Sequence, residues 1–303
     1  MKKIKFLYNK EINRIEWDNC IQNSVNSKIY AFSWYLDIVS EEWNGLVYGD
    51  YELVFPIVMK KNIFFNKIIH PLFCQQLGPF SPSLFLLKNS NVHSQILSFL
   101  DENYKNFEFS INHECSQIFK REIRTQYPHI KHIDRVNLEL DLAKDYESLF
   151  NNYNNNTKRH LRKNEEINFS ITVIEDLNNF INILQKYVGD KANLKSSHYV
   201  IIRDLISKCL DKNLGSLFAL YNQEEEVLAM SFIVHYANRD ILLFNVSSKS
   251  LQSNAMTVLV DDYVQKECLQ NKVLDFEGSN ISGVKRFYKG FGAVERNYIH
   301  IQK

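Results

Sequence analysis

The strongest constraint on the fold lies between Ser216 and Val246, where three apolar runs follow one another with only short polar breaks. Residues 216–221, 227–236 and 240–246 read as strands, with turn signals at 222–226 and 237–239. Breaks this short join antiparallel neighbours, because a parallel return needs a crossover of a dozen or more residues. The next segment supplies that crossover: a helix over about 254–269 leads into a buried strand, Val273-Leu274-Asp275-Phe276. A meander followed by a crossover makes a mixed sheet. Such a sheet has a point where neighbouring connections diverge, and small ligands favour crevices of that kind.

The elements around this block extend the pattern. A polar helical stretch at 146–166, an alternating strand at 169–174 and helices at 177–188 and 198–210 precede it. A short helix at 284–290 and a final strand at 293–301 follow. The order is β-α-α-β-β-β-α-β-α-β. The first part reads as a helix over roughly 17–39, then a hairpin of 46–48 and 53–58 around Gly49-Asp50. Further β-rich runs stand at 63–69 and 72–77, a helix at 92–104, and strands at 107–111 and 135–140. Two domains are expected, 1–142 and 143–303.

Composition narrows the function classes. The formal net charge is +1, whereas a protein that grips a long stretch of nucleic acid carries a basic surplus. The five cysteines are odd in number and form no C-x-x-C pair, which fits a reducing compartment better than a disulfide framework or a zinc site. The apolar run that starts at Ile4 is interrupted by Asn9, Lys10 and Glu11, too early for a signal peptide. No stretch approaches the ~20 apolar residues of a membrane span. A soluble, cytoplasmic protein is expected. His129 and His132 form an H-x-x-H with no third ligand nearby in sequence, so no metal is expected. His235, on a strand, reads as a satisfied sheet residue.

Chemistry concentrates in 274–293. The strand ends at Gly278-Ser279, and Ser282 is placed to cap the helix that follows. On that helix Val284, Phe287, Tyr288 and Phe291 fall at i, i+3, i+4 and i+7, an apolar stripe. Gly290 and Gly292 permit a tight exit. Asp275 and Glu277, two residues apart on a strand, share a face. Repulsion between such carboxylates can raise one pKa and make a base. The alternative is that Asp275 bonds turn backbone and Glu277 is solvated.

The run Arg286-Phe287-Tyr288-Lys289-Gly290-Phe291-Gly292-Ala293 resembles the F-Y-x-x-F/L-G-F/A segment that closes GNAT N-acetyltransferase domains. With Asp275-Phe276-Glu277-Gly278-Ser279 it is closer to the FemAB-like branch, whose usual ending is D-F-x-G-S followed by F-K/Y-x-x-F-G. The basic helix around Lys158, Arg159, His160, Arg162 and Lys163 also matches that branch. The resemblance implies an α/β fold of two tandem GNAT-like domains, each a mixed, mostly antiparallel sheet flanked by helices. It implies an N-acyltransferase that moves an acyl group from acetyl-CoA, or another acyl-CoA, to a small-molecule or peptide amine, an amino sugar among the candidates.

Residue roles follow from the same resemblance. Tyr288 stands where GNAT enzymes often carry the Tyr that protonates the departing thiolate. A phenol of pKa ~10 can do this, and such help is worth ~10²–10⁴-fold. Tyr288 reads equally as a core aromatic of the stripe. FemAB enzymes that use aminoacyl-tRNA commonly have Lys at that position. Lys289 is adjacent, but Tyr288 and the near-neutral charge favour a thioester donor over tRNA. Cofactor contacts are implied for Val246, Ser247, Ser248, Lys249, Gln252, Ser253, Asn254, Ala255 and Lys289. GNAT domains usually place a Gly-rich loop there, whose backbone N–H groups hold a pyrophosphate at a helix N-terminus. This loop has no glycine. Its small residues and Asn254, which tolerates positive φ, suit an anion site, and an ordinary helix cap explains them as well. Lys195, His198 and Tyr199 open a helix in the region that contacts the acceptor in the resembled fold. The glycine-free loop leaves a third reading open, a GNAT fold that binds a ligand or partner without catalysis.

Overall fold

The computed structural model describes residues 2–61, 66–164, 169–189, 193–247, 254–278 and 281–303. Packing divides the chain into two compact units, Met1–Arg135 with Asn297–Lys303, and Val136–Arg296.

The first unit carries β1 (Ile4–Leu7), α1 (Arg14–Asn23), α2 (Ser33–Val39), β2 (Glu42–Tyr48), β3 (Leu53–Lys61), β4 (Asn66–Ile68), α3 (Leu84–Leu87), α4 (Ser90–Asn103), β5 (Glu108–Ile111) and α5 (His113–Gln126). Strands β1 to β4 form an antiparallel sheet in chain order. The turn at Gly49 and Asp50 sets the hairpin register, with Leu46 opposite Phe55 and Tyr48 opposite Leu53. Leu46, Phe55 and Ile57 are buried in one cluster with Ile96, Leu100 and Phe119 from α4 and α5. The single helix expected over 17–39 is two. Between them the chain bonds elsewhere: the Val25 N–H donates to Ser81 O and the Asn26 side-chain amide to Pro79 O. Residues 72–77 form no strand, only a bridge from Leu77 to Ile111, and 62–65 lie outside the described residues. Helix α5 was not anticipated. Its buried face mixes Cys115, Phe119 and Ile123 with the polar Ser116 and Glu122, so the apolar stripe does not stand out.

The second unit takes in the end of β6 (Lys131–Asp141), then α6 (Tyr146–Asn151), α7 (Asn155–Asn164), β7 (Ser170–Ile174), α8 (Leu177–Val188), α9 (Ser196–Asp211), β8 (Gly215–Tyr221), β9 (Val227–Tyr236), β10 (Arg239–Ser247), α10 (Ala255–Glu267), β11 (Val273–Asp275), α11 (Ser282–Lys289) and the start of β12 (Val294–Gln302). Its strands run in the order β6-β11-β10-β9-β8-β7. All neighbours are antiparallel except β10 and β11, which α10 joins and which pair in parallel. The meander and the crossover therefore stand as the turn spacing predicts. Tyr288 and Phe291 of the α11 stripe are buried with Phe276 and Val260, and Val284 and Phe287 pack against them.

The chain is thus an α/β fold of helix-flanked, mostly antiparallel sheets. Among the described residues no helix is long and apolar enough to cross a membrane, and no group of three or more His, Cys, Asp or Glu could hold a metal ion.

Candidate active site

Strand β10 is held differently at its two ends. Its pairing with β11 covers only Arg239, Ile241 and the residue between them. Beyond that point β10 continues to Ser247, and its register with β9 shifts between Leu242 and Phe244. A shift of this kind bends the strand away from its neighbour. Helix α10 begins close to where β10 ends. A cavity of about 320 Å³ opens there, lined by Ser247, Asn254, Ala255, Met256, Thr257, Phe287 and His160.

The helix terminus is suited to an anion. Asn254 is the N-cap but makes no side-chain capping bond. Its carbonyl accepts from Thr257 N–H at 2.7 Å and Val258 N–H at 3.3 Å. Among the described residues no acceptor is assigned to the Ala255 and Met256 N–H groups, and first-turn N–H groups of this kind attract negative charge. His160 brings α7 to the same cavity. Burial, then the charges of Arg159 and Lys163, hold its imidazole below the usual pKa. Of the expected cofactor residues, Ser247, Asn254 and Ala255 line this cavity, and Val246 is buried on β10 beside it. Ser248, Lys249, Gln252 and Ser253 lie outside the described residues. Lys289 is tied to Glu295 at 3.0 Å and does not line the cavity.

Tyr288 packs as a core aromatic and keeps its hydroxyl beside β10. Its ring stacks on Phe276 with centroids 4.7 Å apart. Its hydroxyl faces the Asn245 amide of β10, with Nδ2 at 3.5 Å. Burial, then the negative charge of Glu277, raise the phenol, the Asn245 contact pulls the other way, and the result is about 12. The Asn245 amide is oriented by a second bond from Nδ2 to Leu242 O at 3.2 Å.

The carboxylate pair is not what strand alternation implies. Strand β11 ends at Asp275, and Glu277 has φ 55°, so the shared-face rule stops short of Glu277. Asp275 is 2% exposed. It accepts from Glu277 N–H at 2.8 Å and from Arg239 Nη1 at 2.6 Å. Arg239 also donates to Glu139 at 2.8 Å, and those two carboxylates, against the cost of burial, raise its pKa. Asp275 is therefore one corner of a buried ion cluster. Gly278 follows Glu277 with φ 61°, and a Cβ there would stand 2.2 Å from Val136 O, so only glycine fits. Ser282 is the first helical residue of α11, with Ile281 as N-cap. Gly290 serves by closeness: a Cβ would meet Thr157 Oγ1 at 2.4 Å.

Lys195, His198 and Tyr199 sit together at the start of α9. The Lys195 N–H donates to His198 Nδ1 at 3.1 Å, and the Tyr199 hydroxyl lies against Gly189 at the end of α8. None of the three lines the cavity at α10. His235 is held on both ring nitrogens, Nδ1 by Asp240 at 2.7 Å and Nε2 by Ser216 at 3.1 Å. Thr257 and Phe287, which line the cavity, and Asn245, beside Tyr288, were not singled out for these places from sequence. Nothing in their identity marks them, since tertiary packing of β10, α10 and α11 brings them together. His160 was visible only as part of a basic run.

No protein-family model and no curated sequence matches the chain. Solved structures do. FemX superposes with a TM-score of 0.67 at 11% identity, covering 97% of this chain and 96% of that one. A conserved protein of unknown function from Bacteroides thetaiotaomicron gives 0.62 at 10% identity, with 100% of both chains covered. A tandem GNAT protein from the clavulanic acid biosynthesis pathway gives 0.54 at 6% identity, covering 99% and 98%. The chain thus shares the fold of FemX and of a tandem GNAT protein at low sequence identity.

Proposed function

We propose that the second unit is an N-acyltransferase domain that moves an acyl group, acetyl in the first instance, from acyl-CoA to an amine. One observation carries the reading: β10 runs on past β11 to a cavity at the N-terminus of α10, and the same stretch of β10 carries Asn245, which faces the Tyr288 hydroxyl. The open edge of β10 offers backbone groups to an extended ligand with amides of its own. The Ala255 and Met256 N–H groups and His160 would hold phosphate oxygens, which suits the donor set without a glycine loop.

Acyl-CoA supplies a thioester carbonyl and a thiol leaving group. The amine adds to that carbonyl, the C–S bond breaks, and the amide and CoA thiol are the products. Tyr288 is placed to give the thiol its proton. At about 12 the phenol is fully protonated at neutral pH, as a proton donor must be. Transfer to a thiolate of ordinary pKa ~8.5 is uphill, and desolvation of the thiolate in the same cavity narrows the gap. The phenol then recovers its proton from the amine nitrogen through water. The acceptor, an amino sugar or a peptide amine, and a cytoplasmic location belong to the reading by analogy of fold alone.

An aminoacyl-tRNA donor has two supports, Lys289 and the exposed Arg159, Arg162 and Lys163 of α7. Calorimetric titration separates the two donors. Acetyl-CoA should bind saturably, with tRNA binding weak and lost by moderate salt. No heat from acetyl-CoA at about millimolar concentration, with tight tRNA binding, would reverse the assignment. Binding of neither would leave a GNAT fold without this chemistry.

A further inference from the structure

The first unit contains a cavity of about 660 Å³ that acyl transfer does not use. Strand alternation places Glu42 and Asn44 on the same face of β2 as Leu46, and Leu46 is buried in the core beneath α4. Toward Glu42 that cover runs out, because α4 ends at Asn103, and the sheet face opens into the cavity. Polar residues at core-facing positions cost stability unless something satisfies them. Asn44 is 1% exposed and rigidly held, its Oδ1 accepting from Asn9 N–H at 2.9 Å and its Nδ2 reaching Met59 Sδ at 3.0 Å. An amide has two donors and two acceptor sites, so half of its capacity remains for a ligand.

An aromatic run lines the cavity beside these polar groups, Phe6 of β1 and Tyr8 just after it on the sheet face, with Phe99 and Tyr104 at the end of α4. Phe6 stacks on Phe99 at 5.5 Å, Tyr8 meets Phe6 edge-on at 5.1 Å, and Tyr104 meets Phe99 edge-on at 6.2 Å. Tyr8, Tyr104 and Glu42 line the same cavity, and burial, then the nearby Tyr8 and Glu42, hold the Tyr104 phenol above its usual range. At the rim Lys67 is tied to Glu108 at 2.9 Å. Lys60 and Lys105 are exposed, and neither makes an ion pair among the described residues. A second cavity of about 350 Å³ shares Tyr8, Glu42 and Asn44, so the polar floor extends past one ring.

We propose that this cavity binds a monosaccharide carrying an anionic group, a sugar phosphate or a sugar acid. The C–H face of the ring lies on the aromatic wall, and the hydroxyls bond Asn44, Glu42 and the phenols. The anionic group meets Lys60 and Lys105. A wholly apolar ligand would strand the Asn44 amide and the phenols against hydrocarbon, at a cost that a hydroxylated ring avoids. A flat base would need a slot between rings, and Phe6 and Phe99 already close on each other. Cavities of this size that pair an apolar wall with a few fixed polar groups are the usual form of a small-ligand site.

The test is calorimetric titration of the full chain with glucose 1-phosphate, glucuronate, glucose and inorganic phosphate. One of the two anionic sugars should bind below about 1 mM, with glucose and inorganic phosphate at least ~10-fold weaker. Binding of glucose 1-phosphate alone identifies the ligand as a phosphorylated sugar, and of glucuronate alone as a sugar acid. The double variant Lys60→Ala, Lys105→Ala and the single variant Tyr8→Ala, all at exposed positions, should each weaken that binding ~10-fold with unchanged Tm. Acetyl-CoA titrated into the same variants should bind as in the parent, which keeps this site separate from acyl transfer. The proposal is overturned if none of the four probes binds by about 10 mM, if glucose or phosphate alone binds as tightly as the anionic sugar, or if the variants bind like the parent.

Discussion

The two ends of β10 are built on opposite plans. At the Arg239 end the strand has partners on both sides, and its charges are closed into networks. Arg239 spans Glu139 and Asp275. Asp240 takes hydrogen bonds from His235, Tyr263 and Lys272. At the Ser247 end the strand runs on past β11, the first helix turn has donors with no acceptor assigned among the described residues, and a cavity stands open. A closed network gains stability from fully satisfied charges and has nothing left for a ligand. The open end gives up that stabilisation and keeps its hydrogen-bonding capacity. An acidic residue such as Asp275 can therefore belong to the framework, while an unremarkable Thr257 lines the cavity.

The contrast can be broken most severely at the closed end. Replacing Arg239 by Met removes the cation that bonds both the buried Asp275 and the partly buried Glu139 and should cost about 3–5 kcal/mol, read by urea unfolding. Any protein that remains folded should bind acetyl-CoA as before. A loss below about 1 kcal/mol would mean the cluster is no more than a surface ion pair. Tyr288→Phe should do the reverse. Its ring keeps the stack on Phe276, so stability should change by under about 1 kcal/mol, while kcat falls ~10-fold or more at unaltered CoA affinity. An unaltered kcat would reduce Tyr288 to packing.

Acid sharpens the comparison with smaller effects. Burial alone would raise the Asp240 carboxyl, but hydrogen bonds from His235, Lys272 and Tyr263 outweigh it and hold it below its usual range. Its contribution is therefore present above the unfolded value of about 3.9 and lost as pH falls through the lower folded value. A pH series of unfolding midpoints should show this as a decline confined to pH values below about 4. The open end should respond earlier and in the opposite sense. His160 titrates below its ordinary value of about 6.5 when free, and a bound phosphate would favour its protonation. CoA affinity should rise by up to ~10-fold as pH falls from about 7 toward 5, and the His160→Gln variant should lose that dependence.

The fold was legible where spacing forces topology. The breaks at 222–226 and 237–239 admit only antiparallel turns, and a helix before β11 returns the chain in parallel. Legibility failed where tertiary partners override local pattern, as between α1 and α2, where Val25 and Asn26 bond Ser81 and Pro79. For the site, Tyr288 was visible because the α11 stripe has a helical period. The strand rule misplaced Glu277 because the chain enters positive φ one residue after Phe276. Asn245, Thr257 and Phe287 were not legible, because no sequence spacing tells which residues tertiary packing brings together.

The central claim is that the open end of β10 is the acyl-donor site, and an acetyl-CoA titration followed by amide chemical shifts tests it most directly. The account predicts saturable shifts clustered at Asn245, Ser247, Ala255, Met256 and Thr257, with the Arg239 and Asp275 amides unmoved. Saturable binding whose shifts fall elsewhere, or no saturable shift at all, would contradict it.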